Sequence, residues 1–389
     1  MPANAVLVHN PEALHYQFYE EHPFNPLRLT LTLDLLRKCG ALEQRQIIRP
    51  SAAKLEELLR VHRKDYVETI SRLSENPPAD HWVALAGRYG LDFEDTPYFP
   101  GMHHVSSIIA GGSLCAAETV MSGQSLHAFH MAGGLHHAFP ERGSGFCVYN
   151  DTAVAIAHVR EKYHARVLYI DTDVHHGDGV QWIFYNDPDV CTYSIHETGK
   201  FLFPGTGFVY EKGSGEGFGA SFNVPMEPYT EDESWIESFT DTIEKVTAAF
   251  KPDIIISQHG CDAHALDPLS HIHCSMNIYR EMPKIIHRLA HQYAGGRWVA
   301  VGGGGYDIWQ VVPRAWSLVW LEMSDHALAT AIGPHSRLPE DWVQHWSQQH
   351  DEELPETWLD DMALWKPMPR RAEIRQKNKE IARIAVQDL

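Results

Sequence analysis

Residues 166–179 read RVLYIDTDVHHGDG. A short apolar run rich in β-branched and aromatic residues breaks off into three carboxylates, two imidazoles and two glycines. Such a run reads as a strand buried on both faces, and the polar burst marks the loop leaving its carboxyl end. The same figure recurs in SLHAFH (125–130) before MAGGLHH, VCTYSI (190–195) before HETGK, DIIIS (253–257) before QHGCD, and WVAV (298–301) before GGGGY. Helical periodicity fills 151–163, 231–250 and 278–294 between them. This alternation predicts a single α/β domain with a mainly parallel central sheet flanked by helices. Ligand crevices in such sheets lie beyond the strand carboxyl ends, where the His, Asp and Gly clusters fall, so one composite site is expected.

The chain has 389 residues, 44% hydrophobic and 21% charged, a balance that supports a large core and excludes wholesale disorder. Texture changes near residue 325, where LPEDWVQHWSQQHDEELPETW (338–358) is followed by the break Lys366-Pro367-Met368-Pro369. The expected division is a catalytic domain over 1–325 and a partly helical extension over 326–389. In the extension, Ile374, Ile381 and Ile384 share helical spacing and should dock on the domain. Net charge is -19, from 51 acidic and 32 basic residues, which argues against nucleic acid as a partner. An acidic surface suits lysine-rich peptides, although such charge more often merely keeps a protein soluble. The opening MPANAVLVHN has no basic leader, and no apolar run is long enough to span a bilayer; a cytoplasmic location without membrane attachment is expected. Six cysteines without a CxxC pair read as reduced thiols.

Side chains alternate along an extended segment, so Asp171, Asp173 and His175 would share one face, where a carboxylate and an imidazole can converge on one ion. Asp262, in QHGCD, can add a second carboxylate. Three protein ligands with one position open to water is the arrangement of a catalytic zinc, although two carboxylates and one histidine suit ferrous iron as well. A lone His or Asp more often caps a helix or bonds within a core; the density of such groups at one strand end weighs against that reading. Two anionic ligands would leave the metal a weak Lewis acid in need of help. The pair His136-His137 can supply it if buried carboxylates orient the rings, with Asp171 and Asp178 as candidates. One ring would serve as general base and then acid, and the other would add positive charge. Tyr306, after four glycines at 302–305, can donate to an oxyanion. A phosphate-cradling loop is the competing reading, but GGGGY lacks the GxGxxG or GKS/T pattern.

The blocks HHAFPERGSGFCVYNDTAVA (136–155), YIDTDVHHGDGVQ (169–181), YSIHETGKFLFPGTG (193–207), GCDAHALDPL (260–269) and GGGGYD (302–307) resemble, in order and spacing, the zinc-dependent histone deacetylases. The resemblance runs from about residue 16 to 323. The opening EEHPFNPLRL (20–29), the chain length and the C-terminal segment are most similar to the class I-like bacterial acetoin-utilisation branch. It implies the arginase and deacetylase α/β sheet and hydrolysis of N-ε-acetyl-lysine to acetate and lysine. It makes Asp173, His175 and Asp262 the zinc ligands, His137 the principal general base and acid, and His136 its electrostatic partner. Asp178 and Asp171 would orient these two rings respectively, and Tyr306 would bond the substrate carbonyl oxygen. A potassium ion is implied at the Asp171 side chain and the backbones of Asp171, Asp173, His175, Ser194 and Ile195. Gly145, Phe146 and Phe203 match the walls of an acyl-lysine tunnel, and Asp95 a rim carboxylate that grips the substrate backbone. Leu269 holds a gatekeeper position that is glutamate in the polyamine-selective branch, which points to acetylated proteins or peptides, an acetyl-CoA synthetase among them. Departures at residues 139–142, His264, Ser270 and His271 touch the rim. Alternatives are an acetylpolyamine hydrolase and an acyl-lysine binder without turnover; an arginase-like two-metal site has too few carboxylates. The sequence leaves oligomeric state open.

Overall fold

The central strands divide their side chains between two cores. In the computed structural model, which describes residues 4–92, 95–349 and 354–389, Val167 and Tyr169 enter one apolar cluster while Leu168 and Ile170 enter the other. Ile254 and Ile256 part from Ile255 in the same way, and Val299 and Val301 from Trp298 and Ala300. Burial on both faces is why these runs read as continuous rather than alternating. Truncating a fully buried core ring such as Phe129 to alanine is expected to cost on the order of 3–5 kcal/mol.

Among the described residues the sheet has eight strands: β1 (Ala5–Val8), β2 (Ile47–Ile48), β3 (His127–His130), β4 (Val167–Asp171), β5 (Val190–Glu197), β6 (Ser221–Met226), β7 (Ile254–Gln258) and β8 (Trp298–Val301). Their order is β2-β1-β3-β8-β7-β4-β5-β6, and every pairing is parallel. The expected α/β domain and its parallel sheet are therefore what the chain forms, and all five strands read from sequence are present. After β3 the chain skips two places to β4, and β7 and β8 later fill the gap. Loops leaving β3, β8, β7 and β4 thus diverge at a topological switch point, where α/β sheets open a crevice.

The three expected helices span Asp151–Tyr163, Asp232–Phe250 and Met276–Tyr293. Asn150 caps the first, its side chain accepting from the Ala153 amide at 2.9 Å. The C-terminal helix Arg371–Ala385 packs on helix Asp232–Phe250 and on β6. Its buried stripe is Asn378, Ala382 and Ala385, with the three isoleucines half-buried at its flanks. Asn378 accepts from the Glu227 amide at 3.0 Å and donates to Thr230 Oγ1 at 2.8 Å and Ser234 Oγ at 3.0 Å. Asp360 binds the same segment to the domain through Arg314 at 3.0 Å and His264 at 2.9 Å. All six cysteines are free thiols. Among the described residues no helix is long and apolar enough to cross a membrane.

Candidate active site

β4 stops at Asp171, so strict strand alternation does not carry on to His175. The chain turns instead, because each carboxylate accepts a backbone amide two residues ahead: Asp173 N to Asp171 Oδ1 at 3.1 Å and His175 N to Asp173 Oδ1 at 3.0 Å. This turn points Asp171 toward His136 and leaves Asp173 and His175 facing Asp262 from the end of β7. His175 Nδ1 lies 3.2 Å from Asp173 Oδ1 and 3.0 Å from Asp262 Oδ2. One ligand atom from each of the three falls within 4.8 Å of the others, and all three residues are buried.

The donor set fits a divalent cation. Two buried carboxylates held together repel each other unless a positive charge lies between them. Burial alone would lower the His175 pKa, yet Asp173 and Asp262 override it and raise it to about 10, so the surroundings favour positive charge at this place. Burial and the Asp173 charge push Asp262 up to about 6. Other groups fix the outer oxygens. Asp173 Oδ2 accepts from Gln258 Nε2 and from the Gly304 amide, both at 2.7 Å, and Asp262 Oδ1 accepts from the Val174 amide at 2.9 Å. A Cβ on Gly304 would come 2.1 Å from Asp262 Oδ2 and 2.8 Å from Asp173 Oδ2, so only glycine lets the loop approach both.

His136 and His137 stand beside this cluster, each with its own carboxylate. His136 Nδ1 donates to Asp171 Oδ2 at 2.7 Å, and His137 Nδ1 to Asp178 Oδ1 at 2.7 Å. Both pairs are almost wholly buried. Bonds at Nδ1 leave the Nε2 atoms free to face the site, and His136 Nε2 is 3.9 Å from Asp173 Oδ2. The two rings diverge electrically. Burial opposes charge on His136, but the Asp171 and Asp173 carboxylates overcome it and raise its pKa to about 9. Burial and the charge of His136 lower His137, against the pull of Asp178. One ring is thus held cationic and the other neutral, as an electrostatic partner and a base require.

Four residues that the sequence reading did not single out hold this arrangement. Asn150 Nδ2 donates to the carbonyls of His136 (3.2 Å) and Ala138 (3.0 Å), and Asp151 accepts the amides of Gly134 (3.0 Å) and Leu135 (2.8 Å). The Asn-Asp pair that opens helix Asp151–Tyr163 is a visible cap signal, but its grip on the His-His loop is not. Asp267 joins two loops by accepting the Tyr306 amide at 2.8 Å and the Leu269 amide at 3.0 Å. Arg28 is buried between the Phe24 and Trp316 rings and donates to the Gly305 carbonyl at 3.1 Å. Burial and the Asp262 and Asp173 charges push the Tyr306 phenol well above its ordinary range, so it remains a donor.

The remaining expected positions gather around this centre. Phe146 meets Tyr306 edge-on at 5.7 Å, and Phe203, 44% exposed, meets His137 at 5.0 Å. Gly145 has φ +54°, and a Cβ there would lie 2.4 Å from the His137 ring. Asp95 accepts from the Gly145 amide at 2.9 Å and from Thr96 Oγ1 at 2.9 Å, and so supports the same wall. Leu269 is half-buried on the loop secured by Asp267. Asp171 pairs with Ser194 across β4 and β5, which sets Ser194 and Ile195 next to the Asp171–His175 turn.

The family model for the histone deacetylase domain matches residues 22–323. The chain belongs to the histone deacetylase family. The acetoin utilization protein AcuC of Bacillus subtilis is 51% identical over 376 residues, covering 96% of this chain and 95% of that protein. AcuC of Staphylococcus xylosus is 48% identical, covering 95% and 94%. The crystal structure of a histone deacetylase homologue from Aquifex aeolicus superposes with TM-score 0.82 at 27% identity, covering 97% of this chain and all of that one. A homologue complexed with SAHA superposes with TM-score 0.83 at 28% identity over 97% of this chain. The chain is accordingly an AcuC-like deacetylase hydrolase of a metal-dependent family.

Proposed function

We propose that this deacetylase hydrolyses N-ε-acetyl-lysine in proteins or peptides, releasing acetate and free lysine. The observation that carries the reading is the convergence of Asp173, His175 and Asp262 beside two His–Asp pairs of opposite electrical character. A divalent cation held by these three residues, zinc or ferrous iron, would polarise the amide carbonyl and acidify a water in its open position. His137, neutral and fixed in tautomer by Asp178, takes the proton of the attacking water at Nε2 and returns it to the departing amine. His136 stays protonated and stabilises the negative charge that develops. Tyr306 donates its phenol proton in a hydrogen bond to the oxyanion.

Phe146, Phe203 and Gly145 form the apolar walls that take the lysine stem, and Asp95 sits at the rim where it can accept from a substrate amide. Leu269 offers no charge to a second cationic nitrogen, which supports a peptide rather than a polyamine. The Asp171 side chain, with the backbones of Asp171, Asp173, His175, Ser194 and Ile195, is the proposed potassium shell. The substrates we infer are cytoplasmic acetylated proteins, an acetyl-CoA synthetase among them. The test compares acetate release from an acetyl-lysine peptide and a free acetylpolyamine, with and without chelator. Turnover of the peptide, lost on chelation, is expected. Preference for the polyamine would shift the substrate class, and tight peptide binding without acetate would make the protein a binder.

A further inference from the structure

A second constellation of metal-ligating groups lies at the opposite end of the sheet. His127 is the first residue of β3, where it pairs with Trp298, the first residue of β8. His287 and His291 reach it from helix Met276–Tyr293, one turn apart on the same face. Their Nε2 atoms converge: His287 Nε2 lies 3.2 Å from His127 Nε2 and 3.1 Å from His291 Nε2. All three residues offer a ligand atom within 4.8 Å of the others.

Hydrogen bonding alone accounts poorly for three nitrogens in one place. His287 Nδ1 donates to Glu322 Oε1 at 3.0 Å, so its Nε2 presents a single lone pair. Two other ring nitrogens press on that lone pair, and only one can donate to it with good geometry. A cation resolves the conflict by accepting all three lone pairs. Tetrahedral zinc–nitrogen bonds of about 2.0–2.1 Å place neighbouring ligand nitrogens about 3.3–3.4 Å apart, close to the separations here. The Glu322–His287 pair is the carboxylate–histidine arrangement that orients a metal-bound imidazole.

We propose that His127, His287 and His291 form a structural site for a divalent cation of the zinc class, with His287 oriented by Glu322. His127 and His287 are buried while His291 is exposed, so the ion enters from the His291 side and a solvent molecule completes the shell. The site joins the start of β3 to helix Met276–Tyr293 and, through Glu322, to helix Val312–Met323.

The test strips full-length protein of metal, reloads it with zinc, removes the excess and measures bound zinc. Wild type should retain one equivalent more than His291→Ala, a substitution at an exposed position that leaves the fold intact. The double variant Asp173→Ala/Asp262→Ala, altered only at the other end of the sheet, should retain the amino-end equivalent and melt at higher temperature with zinc than without it. Adding His291→Ala to that variant should abolish both. Acetate release by His291→Ala reloaded with zinc should match wild type. Equal zinc in wild type and His291→Ala, or a zinc-induced rise in melting temperature that survives His291→Ala in the double variant, overturns the proposal.

Discussion

The two ends of this sheet gather histidines for opposite purposes. At the carboxyl ends of β3, β8, β7 and β4, His136, His137 and His175 each have a carboxylate partner, and hydrogen bonds from Gln258, Gly304 and Val174 hold the metal-site anions in place. At the amino ends of β3 and β8, three imidazoles face one another with one supporting carboxylate, Glu322. The first arrangement stores negative charge and places an acid next to a base, which is what amide hydrolysis needs. The second offers three imidazole nitrogens and no His–Asp pair placed to move a proton, so it can bind an ion without chemistry. Identical side chains thus take their character from the carboxylates beside them.

The largest effect should come from Asp262→Asn, which removes one of the two anionic donors: acetate release from an acetyl-lysine peptide should fall to background while circular dichroism stays that of the folded protein. His137→Ala should lower kcat by roughly 10²–10⁴-fold, the usual worth of a positioned acid–base group, measured with the metal content shown to be unchanged. Tyr306→Phe should lower kcat by about 10²–10³-fold with little change in KM, as for loss of one oxyanion donor. Glu322→Gln, at the other end, should leave acetate release intact and weaken zinc retention at the histidine cluster by about 10–100-fold, read by competition with a chelator of known affinity. A loss of activity in Glu322→Gln would break the contrast between the two ends, because it would tie the amino-end cluster to the reaction.

Much of this was visible in the residues. The runs that became β3, β4, β5, β7 and β8 are short, β-branched or aromatic, and run into small or polar residues. Three strands escaped notice, β1, β2 and β6, and for two of them the physical reason is plain. β2 has only two residues, and β6 carries Pro225, a residue that a sheet accepts at its edges; both are edge strands. The pairing of His136 with Asp171 and of His137 with Asp178 follows the assignment drawn from resemblance, and Asp173, His175 and Asp262 do meet. Asp267 was hidden because its role is to receive backbone amides from Tyr306 and Leu269, and backbone bonds leave no mark on side-chain patterns. The His287–His291 spacing was half a signal, one helical turn on one face, but its third member stands 160 residues away.

The sequence by itself determined which segments are buried strands and which residue types crowd their ends, since hydrophobic runs and polar bursts are local properties of the chain. Tertiary structure alone decided the strand order that brings four of those ends together, the turn that parts Asp171 from Asp173, and the meeting of His127 with a helix far along the chain. Those outcomes depend on packing two faces of one sheet at once, and no local stretch of residues contains that constraint.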